Sequence, residues 1–449
     1  MFSGLPRYES ASRALRSGVT YAVAIPEHWE IVRLKSVVRS VVVPVAAEPD
    51  DDYLPLERVE SWTLRGSPRP GEGESGIAYE CGDVLFGKLR PYLAKVLLPR
   101  RAGVCVGEFW VLRPRRPGVV PAYLAQLLAS SALVSMVDST TYGSRMPRAS
   151  WATVGPMRLA LPPAEEQAAI VKYLGHAHAR IDRAIAAKRK LIALLEEQRR
   201  TVAASVLSAH GGATRELKHV LRRLIDCEHK TAPQEDGTDL WILRTSAVRS
   251  GEIDWSGAYT TDSSSYRDWT SRATPEAGDV IFTREAPVGE AAVIPAGRSV
   301  ALGQRTVLMK LRREEMDPRF LVHQIYGGAP RERITLATQG STVGHFNMDD
   351  IGWMRVVVPD LKVQKELVSQ IDRVTEKSVA AIDRARREIE LLREFRTRLT
   401  ADAVTGQIDV RAVAATLPDL PADQAFDVGG DDEDDSYDEE LLDATGEDE

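Results

Sequence analysis

Several short segments combine basic or amide side chains with glycine or proline, a pattern suited to contact with nucleic acid. Arginine and lysine donate hydrogen bonds to phosphates and to guanine, while asparagine, histidine, serine and threonine contact bases or phosphates. In the first half of the chain the candidates are Lys88, Arg90, Arg145 and Arg148. In the second half they are His229, Lys230, Thr231, Arg244, Arg284, Ser341, Thr342, His345 and Asn347.

The surroundings of these residues leave two interpretations open. Lys88 and Arg90 follow a predicted strand, and the other two arginines of the first half flank Pro147. A loop held in this way can present guanidinium groups to guanine or phosphate, but the same residues can form surface salt bridges. Gly340 and Gly344 bracket a serine and a threonine, which suits either close approach of a phosphate or a plain turn. Sequence does not separate base contacts from phosphate contacts.

Patterns typical of catalysis or metal binding are not evident in the sequence. There is no Gly-x-x-x-x-Gly-Lys-Ser/Thr loop for ATP, and the three cysteines are scattered without a Cys-x-x-Cys pair. His176 and His178 are two apart on a predicted helix, so we expect them to point apart, to be solvated and to bind no metal. The sequence therefore favours a binding protein without catalytic, cofactor or metal residues. A stand-alone DNA-modifying enzyme and a protein-binding adaptor remain the alternatives.

The elements that position these residues occur twice. Gly82–Phe86, which reads Gly-Asp-Val-Leu-Phe, returns as Gly-Asp-Val-Ile-Phe at an offset of 196 residues. One residue further on in register, Pro162 and Gln167 return as Pro359 and Gln364. Each copy contains short apolar runs punctuated by glycine and proline, which predict strands, and a helical segment. We therefore expect two similar modules of mixed α and β structure.

A long segment with apolar residues every three or four positions follows each copy and predicts a helix. Each helix has about 40 residues, or about 60 Å at 1.5 Å per residue. Because a helix of this length with one apolar stripe needs a partner, we expect the two helices to pair. Because a compact module separates them in sequence, we expect the pair to be an antiparallel coiled coil. The predicted fold class is α/β (α+β), with a pseudo-two-fold internal repeat. The alternative is that each helix packs on its own module or on another chain.

The same patterns divide the chain into six predicted parts. These are an irregular N-terminus (1–24), a first module (25–161), a first long helix (162–210), a second module (211–358), a second long helix (359–410) and an acidic, disordered tail (411–449).

Charge is distributed unevenly along the chain. The net charge is −7, but no lysine or arginine follows Arg411, whereas 15 aspartates and glutamates do. Without them 58 basic residues face 50 acidic ones, an excess of eight that favours double-stranded DNA as a partner. The chain has no apolar run long enough for a membrane helix and no signal-peptide pattern, so we expect a cytoplasmic protein without a membrane partner.

In this order the repeated motifs resemble those of the specificity (S) subunit of type I restriction–modification systems. The motifs are Gly82-Asp-Val-Leu-Phe-Gly-Lys-Leu-Arg-Pro-Tyr92, Gly143-Ser-Arg-Met-Pro-Arg-Ala-Ser-Trp151, Leu161-Pro-Pro-Ala-Glu-Glu-Gln167, His229-Lys-Thr-Ala-Pro233, Phe282-Thr-Arg-Glu-Ala-Pro-Val-Gly-Glu290, Gly340-Ser-Thr-Val-Gly-His-Phe-Asn-Met348 and Thr400-Ala-Asp-Ala-Val-Thr-Gly-Gln-Ile-Asp-Val410. The second helix start lacks the usual proline pair, and the acidic tail is not part of the family pattern.

The resemblance implies two target-recognition domains, each reading one half of a split, asymmetric DNA sequence, and two antiparallel helices acting as a ruler. It implies a subunit without catalytic activity or cofactors of its own. Two methyltransferase (modification) subunits would use S-adenosylmethionine, and two restriction motor subunits would use ATP and Mg. DNA methylation and phage defence would be the roles of the assembled complex.

Overall fold

The computed structural model describes residues 6–8, 11–13, 19, 24–143, 146–210, 212–285, 287–338 and 346–419. Arg145, Ser341, Thr342 and His345, and residues 420–449 of the predicted tail, lie outside the described residues. The beginning of the segment predicted as a disordered tail, Arg411–Thr416, forms an α-helix with Ala414 buried. The described chain forms two compact units. The first contains residues up to Lys188 and from Arg387 on, and the second contains Arg189–Arg386. Within these residues no helix is long and apolar enough to cross a membrane.

The first module belongs to the first unit and combines short strands with short helices. Its strands are Ala11–Arg13, Ala24–Pro26, Glu30–Arg33, Val38–Val41, Pro44–Ala46, Asp52–Leu54, Arg69–Pro70, Ser75–Tyr79, Val84–Gly87, Val96–Leu97, Gly103–Cys105, Phe109–Pro114 and Arg158–Leu161. Its α-helices are Leu34–Val37, Pro121–Leu128, Ser131–Asp138 and Trp151–Val154, and its 3-10 helices are Leu56–Arg58 and Pro91–Leu93.

An antiparallel sheet at the centre of this module has its strands in the order Val96–Leu97, Val84–Gly87, Phe109–Pro114 and Val38–Val41. The repeated strand Val84–Gly87 is buried at every position. Because side chains alternate between the faces of a strand, Phe86 joins the larger apolar cluster while Leu85 joins the cluster on the other face. This two-sided burial explains why the strand is apolar throughout.

The second module belongs to the second unit. Its strands are Thr214–Glu216, Leu221–Asp226, Leu240–Leu243, Val248–Arg249, Glu252–Ile253, Tyr259–Thr260, Val280–Thr283, Ala291–Val293, Ser299–Leu302, Thr306–Leu311 and Arg355–Val357. Its α-helices are Ser263–Trp269, Pro318–Gly327, Ala329–Thr338 and Met348–Gly352, and its 3-10 helices are Leu217–His219, Thr245–Ala247 and Trp255–Gly257.

The sheet of the second module repeats the strand order of the first. Its strands run Ala291–Val293, Val280–Thr283, Thr306–Leu311 and Leu221–Asp226, again antiparallel. The sequence repeat is therefore a repeat of topology, which confirms the predicted pair of mixed α and β modules.

The two long helices are Ala164–Ser208, with 45 residues, and Leu361–Val404, with 44 residues. In the first unit, the beginning of the first helix lies against the end of the second. His178 Nε2 is 2.9 Å from Thr400 Oγ1, and Arg396 Nη1 donates to Asp182 at 3.0 Å. His178 is buried, so the prediction of a solvated histidine at this position was wrong. The reason is that the second helix covers it.

In the second unit, the end of the first helix lies against the beginning of the second. Ser378 Oγ donates to Gln198 at 3.0 Å, and Arg386 Nη2 donates to Glu196 at 3.2 Å. In both units, residues later in the first helix contact residues earlier in the second. The helices are therefore antiparallel within each unit, as the apolar stripes predicted.

A buried glutamine fixes the start of the first long helix to its module. Gln167 Oε1 accepts a hydrogen bond from Val120 N at 2.8 Å. Its Nε2 donates to the carbonyl oxygens of Gly118 and Pro162 at 3.1 and 2.8 Å. One side chain thus satisfies three backbone groups that the helix start and the adjacent loop would leave unpaired.

Gln364 makes the same three bonds at the start of the second long helix. Its Oε1 accepts from Asp317 N at 2.8 Å, and its Nε2 donates to Glu315 O and Pro359 O at 2.7 Å each. The partners correspond one for one at the offset of 197 residues. The direction in which each helix leaves its module is therefore fixed in the same way twice.

The end of the second long helix is tied to the beginning of the chain. Gln407 Nε2 donates to Ala24 O at 2.8 Å, and Asp409 N donates to Pro6 O at 2.8 Å. Gly406 has a positive φ of 74°, and a Cβ there would lie 2.5 Å from Pro26 Cδ. Only glycine fits this turn, because both its conformation and its contact with proline exclude a side chain.

Candidate nucleic-acid interface

Backbone hydrogen bonds bring the basic residues of the first module together. Lys88 and Arg90 continue from the end of the repeated strand Val84–Gly87. Lys88 O accepts from Ala149 N at 2.9 Å, and Arg90 N donates to Pro147 O at 2.7 Å. The segment containing Arg148 therefore lies beside the strand end, although about 60 residues separate the two in sequence. The structure thus groups three of the four residues predicted in this module.

Arg90, three residues after the end of the strand Val84–Gly87, has an unusual backbone conformation. Its φ of 48° and ψ of 61° are left-handed, and it directly precedes the 3-10 helix Pro91–Leu93. Left-handed backbone is disfavoured for arginine and is maintained only where neighbouring contacts enforce it. The bond to Pro147 is one such contact, so the local strain and the placement of the loop depend on each other.

Arg148 forms a forked ion pair with Glu108. Arg148 Nε lies 3.2 Å from Glu108 Oε2, and Nη2 lies 3.0 Å from Oε1. The Arg148 side chain is 40% exposed and that of Glu108 is 28% exposed. The hydrogen bonds and charge of Glu108 raise the pKa of Arg148. The predicted alternative of a surface salt bridge is thus present at this residue, within reach of solvent.

Exposed apolar side chains accompany these charges and were missed from sequence. Tyr142 and Arg148 exchange backbone hydrogen bonds of 3.1 and 3.0 Å, which places Tyr142 opposite the arginine. Tyr142 is 63% exposed, and Met146 and Tyr92 are also exposed. The available signal was a tyrosine and a methionine within the same glycine- and proline-containing loop as the arginines.

The second module repeats the backbone arrangement at Arg284, which corresponds to Lys88. Arg284 O accepts from Phe346 N at 3.1 Å, matching the bond between Lys88 and Ala149. The Arg284 side chain is only 10% exposed, and its Nη1 donates to Asp226 at 2.6 Å. His229 lies 3.4 Å from the same carboxylate and is exposed. Asp226 therefore joins two predicted residues, of which His229 is the accessible one.

The remaining predicted residues of this module have other surroundings. Lys230 and Thr231 are exposed, and the Arg244 guanidinium lies 5.0 Å from the centre of the Tyr259 ring. Asn347 caps the helix Met348–Gly352, since its side chain accepts from Asp350 N at 2.8 Å. This cap uses the oxygen of Asn347, whose predicted role in DNA contact stays a prediction.

Arg305 is a second residue that sequence reasoning missed. It has a left-handed φ of 64°, and its Nε lies 3.1 Å from Glu285. Glu285 follows Arg284 in the chain, and Arg305 lies on the adjacent segment, where Arg305 O accepts from Arg284 N at 2.9 Å. This bond is the counterpart of the one from Lys88 N to Glu108 O, so Arg305 occupies the place of Glu108. The sequence offset of 196 residues pairs it with the apolar Phe109 instead and gave no signal for it.

Within the described ranges, no group of three or more histidine, cysteine, aspartate or glutamate side chains is arranged to hold a metal ion.

No family model matches the chain, and its sequence is similar to that of a curated protein. It is 21% identical over 156 residues to the type I restriction enzyme EcoDI specificity subunit of Escherichia coli. This alignment covers 33% of the chain and spans about a third (34%) of the length of that relative.

Solved structures give matches over most of the chain. A chain from a study of complex assembly and conformational transition of the type I R-M system matches with a TM-score of 0.51 and 18% identity, covering 86% of this chain and 99% of that one. The HsdS subunit from Thermoanaerobacter tengcongensis matches with 0.39 and 19%, covering 86% and 98%. The type I S subunit from M. genitalium matches with 0.36 and 11%, covering 84% and 96%.

The first of these matches shows a shared fold, and the sequence match is to a specificity subunit. The chain therefore resembles a type I restriction–modification specificity subunit in sequence over a third of its length, and a chain of a type I R-M system in fold over most of it.

Proposed function

We propose that this chain is the DNA sequence-recognition (specificity) subunit of a type I restriction–modification complex. The observation that carries the proposal is the duplicated module with its duplicated helix start, in a chain similar to a curated specificity subunit. Each module reads one half of a bipartite DNA target, and lysine and arginine side chains supply affinity through phosphates. That affinity falls as salt rises, because binding releases counterions from the DNA.

Differences between the modules support an asymmetric target. The basic group that follows the repeated strand is Lys88 in the first module and the nearly buried Arg284 in the second. Glu108 O accepts from Lys88 N where Arg305 O accepts from Arg284 N, so an acidic residue of the first module is replaced by a basic one in the second. Because base edges are distinguished by the pattern of donors and acceptors that meets them, modules with different side chains read different half-sites.

The long helices set the length of the unread spacer between the half-sites. A helix of 45 residues is about 68 Å long at 1.5 Å per residue. Inserting seven residues into each helix preserves the apolar stripe and adds about 10 Å, which corresponds to about three base pairs at 3.4 Å each. We expect the methylated target to keep both half-sites and gain that spacer length. An unchanged spacer in a folded variant would contradict the ruler.

In this proposal the chain has no catalytic activity and works in the cytoplasm. It recruits two methyltransferase subunits, which use S-adenosylmethionine, and two restriction motor subunits, which use ATP and Mg. The match to a chain from a type I R-M system supports assembly with such partners. Catalysis and cofactor binding then belong to the partners, while this chain determines where on the DNA they act.

Mapping methylated adenines across the host genome, with and without this chain, tests the proposal. We expect a split, asymmetric motif that disappears when the gene is deleted and returns when it is restored. A methylation pattern that does not depend on the chain would refute the proposal. Modification of DNA by the purified chain alone would establish the enzyme alternative. Salt-insensitive binding to other proteins without DNA binding would establish the adaptor.

A further inference from the structure

We propose that Glu108 is a specificity-determining residue of the first module. It neutralises Arg148, so that this arginine contacts the bases of its half-site in preference to the phosphates of any DNA. The inference rests on the proposed function, because it concerns how the same surface distinguishes target from other DNA.

The geometry of the pair carries the argument. The carboxylate of Glu108 occupies the edge of the guanidinium formed by Nε and Nη2, at 3.2 and 3.0 Å. That edge is one of those through which arginine binds phosphate in a fork. A phosphate that displaced Glu108 would leave two anions side by side, and like charges in contact are unfavourable. The carboxylate therefore acts against binding to DNA backbone.

Base edges do not meet the same penalty. Guanine offers two acceptors to an arginine, and a glutamate accepts from the amino group of a cytosine. The pair can therefore open toward a base pair, with each side chain gaining a neutral partner. Opening requires little energy, since a partly exposed ion pair contributes about 0–1 kcal/mol. The pair thus opposes binding to phosphates more strongly than binding to base edges.

Backbone contacts fix both ends of the pair in place. Glu108 O accepts from Lys88 N at 2.9 Å, and Arg148 exchanges backbone bonds with Tyr142. The side chains can change partner while their backbone stays fixed. Base recognition requires groups held in place in this way, because a productive contact tolerates displacements of only about 0.5 Å.

Glutamine has nearly the shape of glutamate and carries no charge. The Glu108 side chain is 28% exposed, and the backbone bond from Lys88 N to Glu108 O does not involve that side chain. Glu108→Gln therefore removes the charge with little change in packing. This makes it a suitable variant for separating electrostatics from folding.

The experiment measures DNA binding by the full-length chain in its complex. Wild type, Glu108→Gln and Glu30→Gln are titrated onto a target duplex and an unrelated duplex over a series of salt concentrations. Glu30 forms an exposed ion pair with Arg116 at 2.5 Å, so its variant controls for a change of one charge elsewhere in the module.

We expect Glu108→Gln to bind the unrelated duplex roughly 3- to 10-fold more tightly near 0.1 M salt. The slope of log K against log salt should steepen by about 0.9, the value for one added phosphate contact. The ratio of target to unrelated affinity should fall, and Glu30→Gln should show smaller changes. The double variant Glu108→Gln, Arg148→Gln should lose the gain, because the released charge is that of Arg148.

Three outcomes overturn the inference. Glu108→Gln could match Glu30→Gln in slope and ratio, it could lose affinity for both duplexes with a lower Tm, or the double variant could keep the gain. If wild type binds the target no better than unrelated DNA, the proposed function fails as well. A failure of the inference alone is recognised by wild-type target preference that Glu108→Gln leaves intact.

Discussion

Asp182 joins three segments of the first unit, and its replacement gives a sharp prediction for stability. Its two carboxylate oxygens accept separately from Arg65 and Arg396, each at 3.0 Å. The three side chains are only 14–16% exposed. Burial lowers the pKa of Arg396, and the charge of Asp182 opposes that effect. Asp182 therefore compensates two arginines that the fold holds away from water.

Asp182→Asn keeps the shape of the side chain and removes its charge. We expect it to lower the free energy of unfolding of the first unit by about 3–5 kcal/mol, the range for removing one partner of a buried ion pair. The loss arises because Arg65 and Arg396 then repel each other without this countercharge. The exposed pair of Glu197 and Arg200 is a matched control, and Glu197→Gln should cost less than about 1 kcal/mol.

Hydrogen exchange followed by mass spectrometry resolves the effect by unit. Under conditions where exchange reports equilibrium opening, a loss of 3–5 kcal/mol corresponds to roughly 10²- to 10⁴-fold faster exchange in the most protected amides. The increase should appear in peptides from 164–188 and be small in peptides from 189–208. An increase below about tenfold in 164–188, or an equal increase in both segments, would refute the reasoning.

Three further predictions concern residues that hold the helices in place. Lowering the pH from 7 to 5 should destabilise the first unit by about 2 kcal/mol through His178. Burial, and to a lesser extent the charges of Arg396 and Arg65, lower its pKa well below 6.5. The unfolded chain therefore binds a proton that the folded chain does not. His178→Gln should remove this part of the pH dependence, which urea unfolding measures. Gln364→Met should lower the free energy of unfolding by about 2–4 kcal/mol, because three backbone groups lose their partner. Hydrogen exchange near residues 315–317 should rise, while that near residues 118–120 should not. Gly406→Ala should lower Tm more than Gly82→Ala, since both positions have positive φ but only the first has a neighbour at 2.5 Å; equal effects would contradict this.

The sequence predicted those elements whose local signals agree with the way they pack in the fold. The helices Ala164–Ser208 and Leu361–Val404 are bounded by proline, aspartate and glycine, and each carries one apolar stripe, so their extent and antiparallel pairing were predictable. The helical segment predicted in the first copy is divided into Pro121–Leu128 and Ser131–Asp138, the second of which is capped by Ser130. The serine was a visible signal, but the apolar periodicity continues through it.

The candidate interface was predictable in type but not in detail. Glu108 and Arg148 are forty residues apart, and only the path of the loop brings them within hydrogen-bond distance. The burial of His178 depends on which side of the first helix the second one covers, which one periodic stripe does not specify. Lys88, Arg90 and Arg148 were recognised because glycine and proline mark the turns that hold them.

The bonds from Gln407 to Ala24 and from Asp409 to Pro6 have a topological consequence. They bring residues 6 and 409, near the two ends of the described chain, to one place in the first unit, so the order in which the parts are joined is nearly cyclic. A short linker between these ends, with a new break at the glycine pair 211–212, should give a circularly permuted protein with the same contacts. The order of the parts along the chain would then change while the architecture stayed the same.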